Sequence, residues 1–445
     1  MRPLATRRRF LASAGTAGTL ALAGCLDPFD DTEPVDSEYD LSVDHDIDDW
    51  DKYDPDWSAP ESSPLDASFS TETIIEGLEI PWDIEFAPDG EVFISERVGR
   101  ISHYSAGEME AVAEPEAVID HASAIETDEE GGWWAGGSEG GLLGIALHPN
   151  YPDVPVLYAF YTYQAGEEDY RNRLVFYDMD NGNEETVILD DIPGHRIIHN
   201  GSRLAFGPRN YLWVTTGDAN IESGPQDTGS LAGKILRLKP DGTAPDGNPG
   251  FEAPRVYSYG HRNPQGISFL PDATPIAPEH GPSGRDEINL IESGGNYGWP
   301  SVRGGPNDDD YESYAAHDDV VNPLVNTGPG DSWAPCGGVF YTGESVPALR
   351  NRFVTGGLIS QRVNVVTAFD GQAPDIGGQR FEADWQHPEY DAVVHPLFED
   401  ELGRIRHVEQ GPDGDLYAIT SNRDGRASDA FPREGDDRLV RIVQE

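Results

Sequence analysis

The stretch IIHNGSRLAFGPRNYLWVTTGD, residues 197–218, sets a histidine in an Asn-Gly turn before one alternating apolar run and an aspartate after the next. Two such runs around Gly207-Pro208-Arg209-Asn210 predict a hairpin with strands at 203–207 and 211–216. Residues just outside both strands of a hairpin lie side by side, so Asp218 is expected to reach His199. A carboxylate on one imidazole nitrogen fixes the tautomer and leaves the other nitrogen free as a general base. A purely structural pair has the same sequence, so the reading depends on what surrounds it.

Three further stretches supply neighbours. YGHRNPQGISF (259–269) gathers Tyr259, His261, Arg262, Asn263 and Gln265 around Gly260 and Gly266, immediately before an apolar strand. In EHGPSGRDEINLIESGGNYGWP (279–300), the pair Gly281-Pro282 can present carbonyl oxygens to a hard cation such as calcium, with Asp286 and Glu287 as further oxygen donors. GRIRHVEQGPDG (403–414) puts Arg404 and Arg406 on one face of a strand, because side chains alternate with period two. That pair suggests an anionic ligand; a solvated salt-bridge face is the alternative.

Residues this far apart in sequence need a scaffold that brings them together. IEFAPDGEVFISER has Pro-Asp-Gly between two short apolar runs, a hairpin signature, and the pattern returns along the chain with turn prolines at Pro88, Pro149, Pro208, Pro271 and Pro412. The segment 337–357 supplies a variant unit in the long gap before Pro412. Six units of roughly 60 to 70 residues, each enough for four strands, predict an all-β fold, a six-bladed β-propeller of four-stranded antiparallel blades over residues 67–445. A sandwich or paired barrels would need no such period. Propeller sites form where loops from several blades meet at one end of the channel.

Composition narrows the class. Fifty glycines and 35 prolines in 445 residues favour short strands over long helices, and 81 acidic against 30 basic residues give a net charge of -51. Such a surface repels nucleic acid and anionic membranes, and its usual setting is high salt, where self-repulsion is screened. TRRRFLASAGTAGTLALAGC reads as a twin-arginine export signal over residues 1–24 with a lipoprotein box, Cys25 carrying the lipid on the outer face of the cell membrane. Residues 25–66, acidic and weakly periodic, are expected to be a disordered tether. Cys336 is then left without a partner and reads as a small buried residue.

HNGSRL, TTGD, GKILRLKPDGTAPDGNP, GHRNPQGI, EHGP, DEINLI, GGNYGWP, FYTG and GRIRHVEQGPDG occur in the order seen in the soluble quinoprotein sugar dehydrogenases. Over residues 70–443 the chain resembles that glucose/sorbosone dehydrogenase family, the aldose sugar dehydrogenase branch in particular. The resemblance implies pyrroloquinoline quinone (PQQ) and calcium as cofactors, an aldose oxidised at C1 to its lactone, and an external electron acceptor. It makes His199 the catalytic base, Asp218 its orienting carboxylate, and Arg262 the arginine beside substrate and cofactor. Asn263, Gln265, Glu139 and His280 become cofactor contacts, and Arg404 and Arg406 the grip on cofactor carboxylates. Gly281 and Pro282 hold the quinone-site calcium through their carbonyls, and Glu287 with Tyr297 is the position of a second calcium. Glucose-specialised members carry a lysine near LISQRVNVV (358–366), where this chain has only Arg362, and a glutamine at position 280. Trp133 and Trp134 are placed to stack on sugar or quinone, or to anchor their loop. Two rivals stand beside this reading. A calcium-dependent lactonase would have no use for Arg404 and Arg406; the other rival is a non-catalytic lipoprotein propeller binding glycan or a partner.

Overall fold

In the computed structural model, six four-stranded antiparallel sheets stand in a ring; the structure describes residues 34–43, 45–119 and 138–445. In chain order the blades begin with strands Pro81–Phe86, Leu142–Leu147, Gly201–Phe206, Ser268–Phe269, Pro335–Tyr341 and Ile405–Gln410. Each of these is an edge strand of its own sheet and packs on the first strand of a neighbouring blade, so together they line the channel. Phe69–Glu76 pairs with Arg438–Gln444 and supplies the outer strand of the sixth blade, closing the ring with the two ends of the chain. The propeller expected from the repeat is therefore the fold, and closure leaves only short outer edges.

The prolines punctuate as expected. Pro88, Pro149, Pro208, Pro271 and Pro412 each fall between first and second strands, and Pro347 does so in the variant fifth blade. Because each blade is covered on both faces by its neighbours, inner strands read as continuous apolar runs: Leu142–Leu147 (LLGIAL) is buried at every position. Blades two and three share one cluster containing Tyr158, Phe160, Leu204, Val214 and Leu236. Second strands run away from the proline turns and end at the opposite mouth of the channel. Blade four carries an excursion between Glu287–Leu290 and Val325–Asn326, with a short parallel pair, Val302–Gly304 and Glu312–Ser313.

One expectation needs correction. From residue 34 the acidic segment lies along the propeller rather than free of it. Leu41 is 4% exposed within the core of blades two and three, and its carbonyl meets His148 Nε2 at 3.2 Å. Trp50 packs edge-on against Phe269, and Trp57 against Phe340, with ring centroids 6.2 and 5.1 Å apart. Three widely spaced apolar anchors suffice to hold a segment whose average composition is that of a solvated chain. The export signal, Cys25, Trp133 and Trp134 lie outside the described residues.

Candidate active site

His199 and Asp218 meet as the hairpin requires: Nδ1 lies 2.7 Å from Asp218 Oδ1. The backbone makes this possible at two glycines. Gly201 sits at φ +63°, and a side chain there would collide with Thr216 and Gly217 at 2.6 Å. A Cβ on Gly217 would fall 2.0 Å from the His199 carbonyl oxygen, so only glycine lets the histidine's backbone close onto the end of the second strand. His199 itself is left-handed at φ 57°, a conformation costing on the order of 1 kcal/mol. It is held there by its amide, which donates to Glu139 Oε2 at 3.2 Å. Asp218 Oδ1 also accepts from Asn220 N at 2.7 Å, and Oδ2 from the Trp299 indole at 2.8 Å. Among the described residues nothing hydrogen-bonds His199 Nε2, and the side chain is 12% exposed.

Around this dyad the blades build a cup of alternating charge. Glu139 Oε2 also accepts from Asn263 at 3.5 Å and Gln265 at 3.4 Å, and Oε1 pairs with Arg426 at 3.0 Å. Burial works against its carboxylate, yet His280 in the protonated form it takes only in acid, together with Arg426, His199 and Arg406, outweighs it and holds its pKa down to about 2. His280 is buried and neutral, its pKa pushed down to about 3 by burial, with Glu139 opposing and Arg406 and Arg262 adding. Arg406 lies over the Trp82 ring at 4.1 Å and donates to Gln265 Oε1 at 2.9 Å. Arg262 lies over the Trp299 ring at 5.4 Å and donates to the His280 carbonyl at 3.2 Å. Among the described residues neither buried Nε has a hydrogen-bond partner, and burial lowers the pKa of both. Two buried guanidinium groups with unused donors beside one channel mouth suit an anionic ligand.

Arg404 departs from its expected role. Its Nε and Nη2 both donate to Asp424 Oδ2, at 2.9 and 2.8 Å, and Nη1 donates to the Leu358 carbonyl. It is therefore neutralised inside the wall, and Asp424 also faces Arg406 at 3.7 Å. Arg203, four residues after His199, is likewise internal, paired with Asp83 and donating to the Gln265 carbonyl at 3.3 Å. Arg362 serves Asn364 and Glu399 at 2.8 and 3.4 Å. Two arginines were missed in the sequence. Arg426 pairs with Glu139, and Arg97 is buried, its pKa lowered to about 9 by burial, with Asp424 and Glu139 opposing. Arg97 directly follows the second strand of blade one, as His280 does in blade four; blade register was the signal that could have found it.

The turn after Glu279 is less open than its carbonyls promised. Pro282 O accepts from Arg285 Nη1 at 2.9 Å, and Asp286 is consumed by the amides of Gly281, Trp333 and Ala334 at 2.8, 2.6 and 3.0 Å. Glu287 pairs with Arg303 at 2.7 Å and is bonded by Tyr314, Asn289 and Asn326. The Tyr297 hydroxyl donates to the Leu290 carbonyl at 2.6 Å, and its ring stacks on His261. Glu287 and Tyr297 thus face different partners, and among the described residues no group of three or more His, Cys, Asp or Glu side chains gathers there to hold the second calcium. At Gly281 and Pro282 a guanidinium already meets one of the two carbonyls. Cys336 is buried, with burial raising its pKa to about 11, so it remains a thiol.

A propeller with an imidazole poised on a carboxylate beside an arginine-rich cup is the setting in which the likeness to known proteins falls. The chain belongs to the Glucose / Sorbosone dehydrogenase family, whose model matches residues 78–429. It is 29% identical over 397 residues to the aldose sugar dehydrogenase YliI of Escherichia coli K12, covering 85% of this chain and 95% of that one. It is 28% identical over 311 residues to quinoprotein glucose dehydrogenase B of Acinetobacter calcoaceticus, covering 62% of each. The PQQ-bound aldose sugar dehydrogenase of Streptomyces coelicolor superposes with a TM-score of 0.66 at 29% identity, over 87% of this chain and all of that one.

Proposed function

We propose that the protein is a PQQ-dependent dehydrogenase that oxidises aldoses at C1 to lactones and passes electrons to an external acceptor. The observation that carries this is the dyad with its free Nε2, set beside the partnerless Nε atoms of Arg262 and Arg406. PQQ bears three carboxylates, and the cup offers what such an anion needs: Arg406 and Arg97 on one wall, Arg262 on the other, and Asn263 and Gln265 as neutral donors between them. When bound, the quinone supplies the two-electron acceptor for hydride from C1. His199 Nε2 takes the C1 hydroxyl proton, Asp218 holds the ring in the tautomer that can do so, and Arg262 steadies the negative charge that develops beside it. His280, neutral throughout the working range, adds no charge to this balance. Calcium would be held by the carbonyls of Gly281 and Pro282, where Pro282 O already accepts from Arg285 Nη1 at 2.9 Å.

The test is direct: titrate the purified protein with PQQ, with and without calcium, follow quinone absorbance, and assay dye reduction with a panel of aldoses. Quinone binding with sugar-dependent turnover is expected; absence of both ends the reading. The same proposal includes export through the twin-arginine signal, a lipid on Cys25, and stability in molar salt, for which the acidic composition argues. Mass spectrometry of the mature N-terminus checks the anchor.

A further inference from the structure

Asp218 has two oxygens, and the histidine uses one. The other is held by Trp299, which comes from the excursion of blade four, 81 residues further along the chain. We infer that Trp299 is a positioning residue that sets the catalytic dyad and the neighbouring cation together, a role resting on the dehydrogenase reading of the site. Its indole Nε1 donates to Asp218 Oδ2 at 2.8 Å, while the face of the same ring carries the Arg262 guanidinium at 5.4 Å. One rigid side chain thus fixes both the carboxylate that orients the base and the neighbouring guanidinium of Arg262, whose backbone carbonyl accepts from the Asp218 amide at 2.7 Å.

Trp299 is itself anchored from three directions, by its backbone amide, its backbone carbonyl and its ring. Its amide donates to the Gly260 carbonyl at 3.0 Å, its carbonyl accepts from Gln226 at 2.8 Å, and its ring lies 5.9 Å from Tyr311. Gln226 also bonds Asn296 at 2.9 Å, so the loop after Asp218 and the excursion of blade four are tied to each other. With Oδ1 shared by His199 and Asn220 and Oδ2 on Trp299, the Asp218 carboxylate cannot rotate without losing a hydrogen bond. Loss of the indole N–H would leave Oδ2 open, make the carboxylate a stronger acceptor for His199, and let the pair turn away from the sugar.

Trp299→Phe keeps a ring beneath Arg262 and removes only the donor; Trp299→His returns a ring N–H. In the PQQ-loaded protein, kcat is expected to fall ten- to a hundredfold in Trp299→Phe, with KM and quinone affinity within about twofold, and to recover in part in Trp299→His. In the protein without quinone, the low-field proton of His199 Nδ1 should shift in the NMR spectrum of Trp299→Phe and return toward the wild-type position in Trp299→His. An unmoved resonance, or a kcat within twofold of wild type, overturns the inference. If Trp299→Phe fails to fold, the comparison of Trp299→His with Trp299→Leu, which lacks both donor and ring, decides by the same resonance. Should the wild type show no turnover on any sugar while the resonance still shifts, the dehydrogenase reading falls and the positioning of the dyad stands.

Discussion

At the lip of blade three, His199 spends one ring nitrogen on Asp218 and, among the described residues, leaves the other without a partner. Across the mouth, the turn of blade four is satisfied from within: Asp286 takes three backbone amides, Glu287 takes Arg303, and Pro282 O takes Arg285. Both stretches hold the residue types that chemistry uses, and both are largely buried. The difference is valence. A buried polar group that is fully bonded stabilises a wall, whereas one held firmly on one side and left open on the other is set up to act on something else. Arg404 and Arg406 repeat the contrast two residues apart, the first closed onto Asp424, the second retaining a partnerless Nε.

The hardest test of the contrast removes the open valence. His199→Ala should leave quinone binding intact and lower kcat by roughly two to four orders of magnitude, the span of a lost general base. A residual rate within tenfold of wild type would place the base elsewhere. Next comes the anion grip. Arg406→Met keeps volume over Trp82 but removes the charge, and quinone affinity, read by absorbance titration, should weaken by about two orders of magnitude. Arg404→Met, removing a guanidinium that already belongs to Asp424, should cost folding stability while changing quinone affinity far less. Equal losses of affinity from both would erase the distinction between them.

A third prediction concerns Glu139, which joins the lip of blade three to the arginines. Its folded pKa of about 2 lies below the ordinary carboxylate value of 4.5, so the folded state favours its ionised form. The stability this contributes is fully present above about pH 4.5 and is lost as pH falls toward 2; the shift corresponds to about 3 kcal/mol. Denaturant unfolding of wild type and Glu139→Gln in constant salt should therefore converge as the solution is acidified. A gap between them that stays constant down to about pH 3 would mean that the cationic surroundings of Glu139 are weaker than the geometry indicates.

The sequence was most legible where period and turn chemistry act over short range. The propeller followed from proline-marked hairpins at a fixed spacing, and the His199–Asp218 pair from hairpin geometry alone. Family resemblance added Glu139, which meets the His199 amide, and His280, whose Nδ1 lies 3.4 Å from Asn263. What stayed hidden was who satisfies whom beyond the span of a single turn. That Arg203 belongs to Asp83, Arg404 to Asp424, and Glu287 to Arg303 depends on pairs 120, 20 and 16 residues apart, and local patterns carry no information about them. The acidic segment was misread for a related reason: mean composition hides Leu41, Trp50 and Trp57, and a few anchored side chains decide whether a chain packs.

The smallest expected effect tests the closed side of the comparison. Arg285 sits at φ 56°, a backbone conformation that suits glycine and that a long side chain adopts at a cost of about 1 kcal/mol. It is kept there by Asp308 and Asp310, by the Tyr311 ring at 5.0 Å and by the Pro282 carbonyl at 2.9 Å. Arg285→Gly relieves the backbone but leaves the buried Asp308 carboxylate without its partner, so some folding stability should be lost. The substitution also clears a positive charge from the carbonyl of Pro282. If that guanidinium is what closes the turn, calcium affinity of the PQQ-loaded protein, measured by calorimetry, should rise about threefold or more in Arg285→Gly, since a cation no longer has to approach beside a fixed positive charge. An affinity unchanged from wild type would show that the second lone pair of Pro282 and the Gly281 carbonyl were available all along, and the turn of blade four would then belong with the lip of blade three.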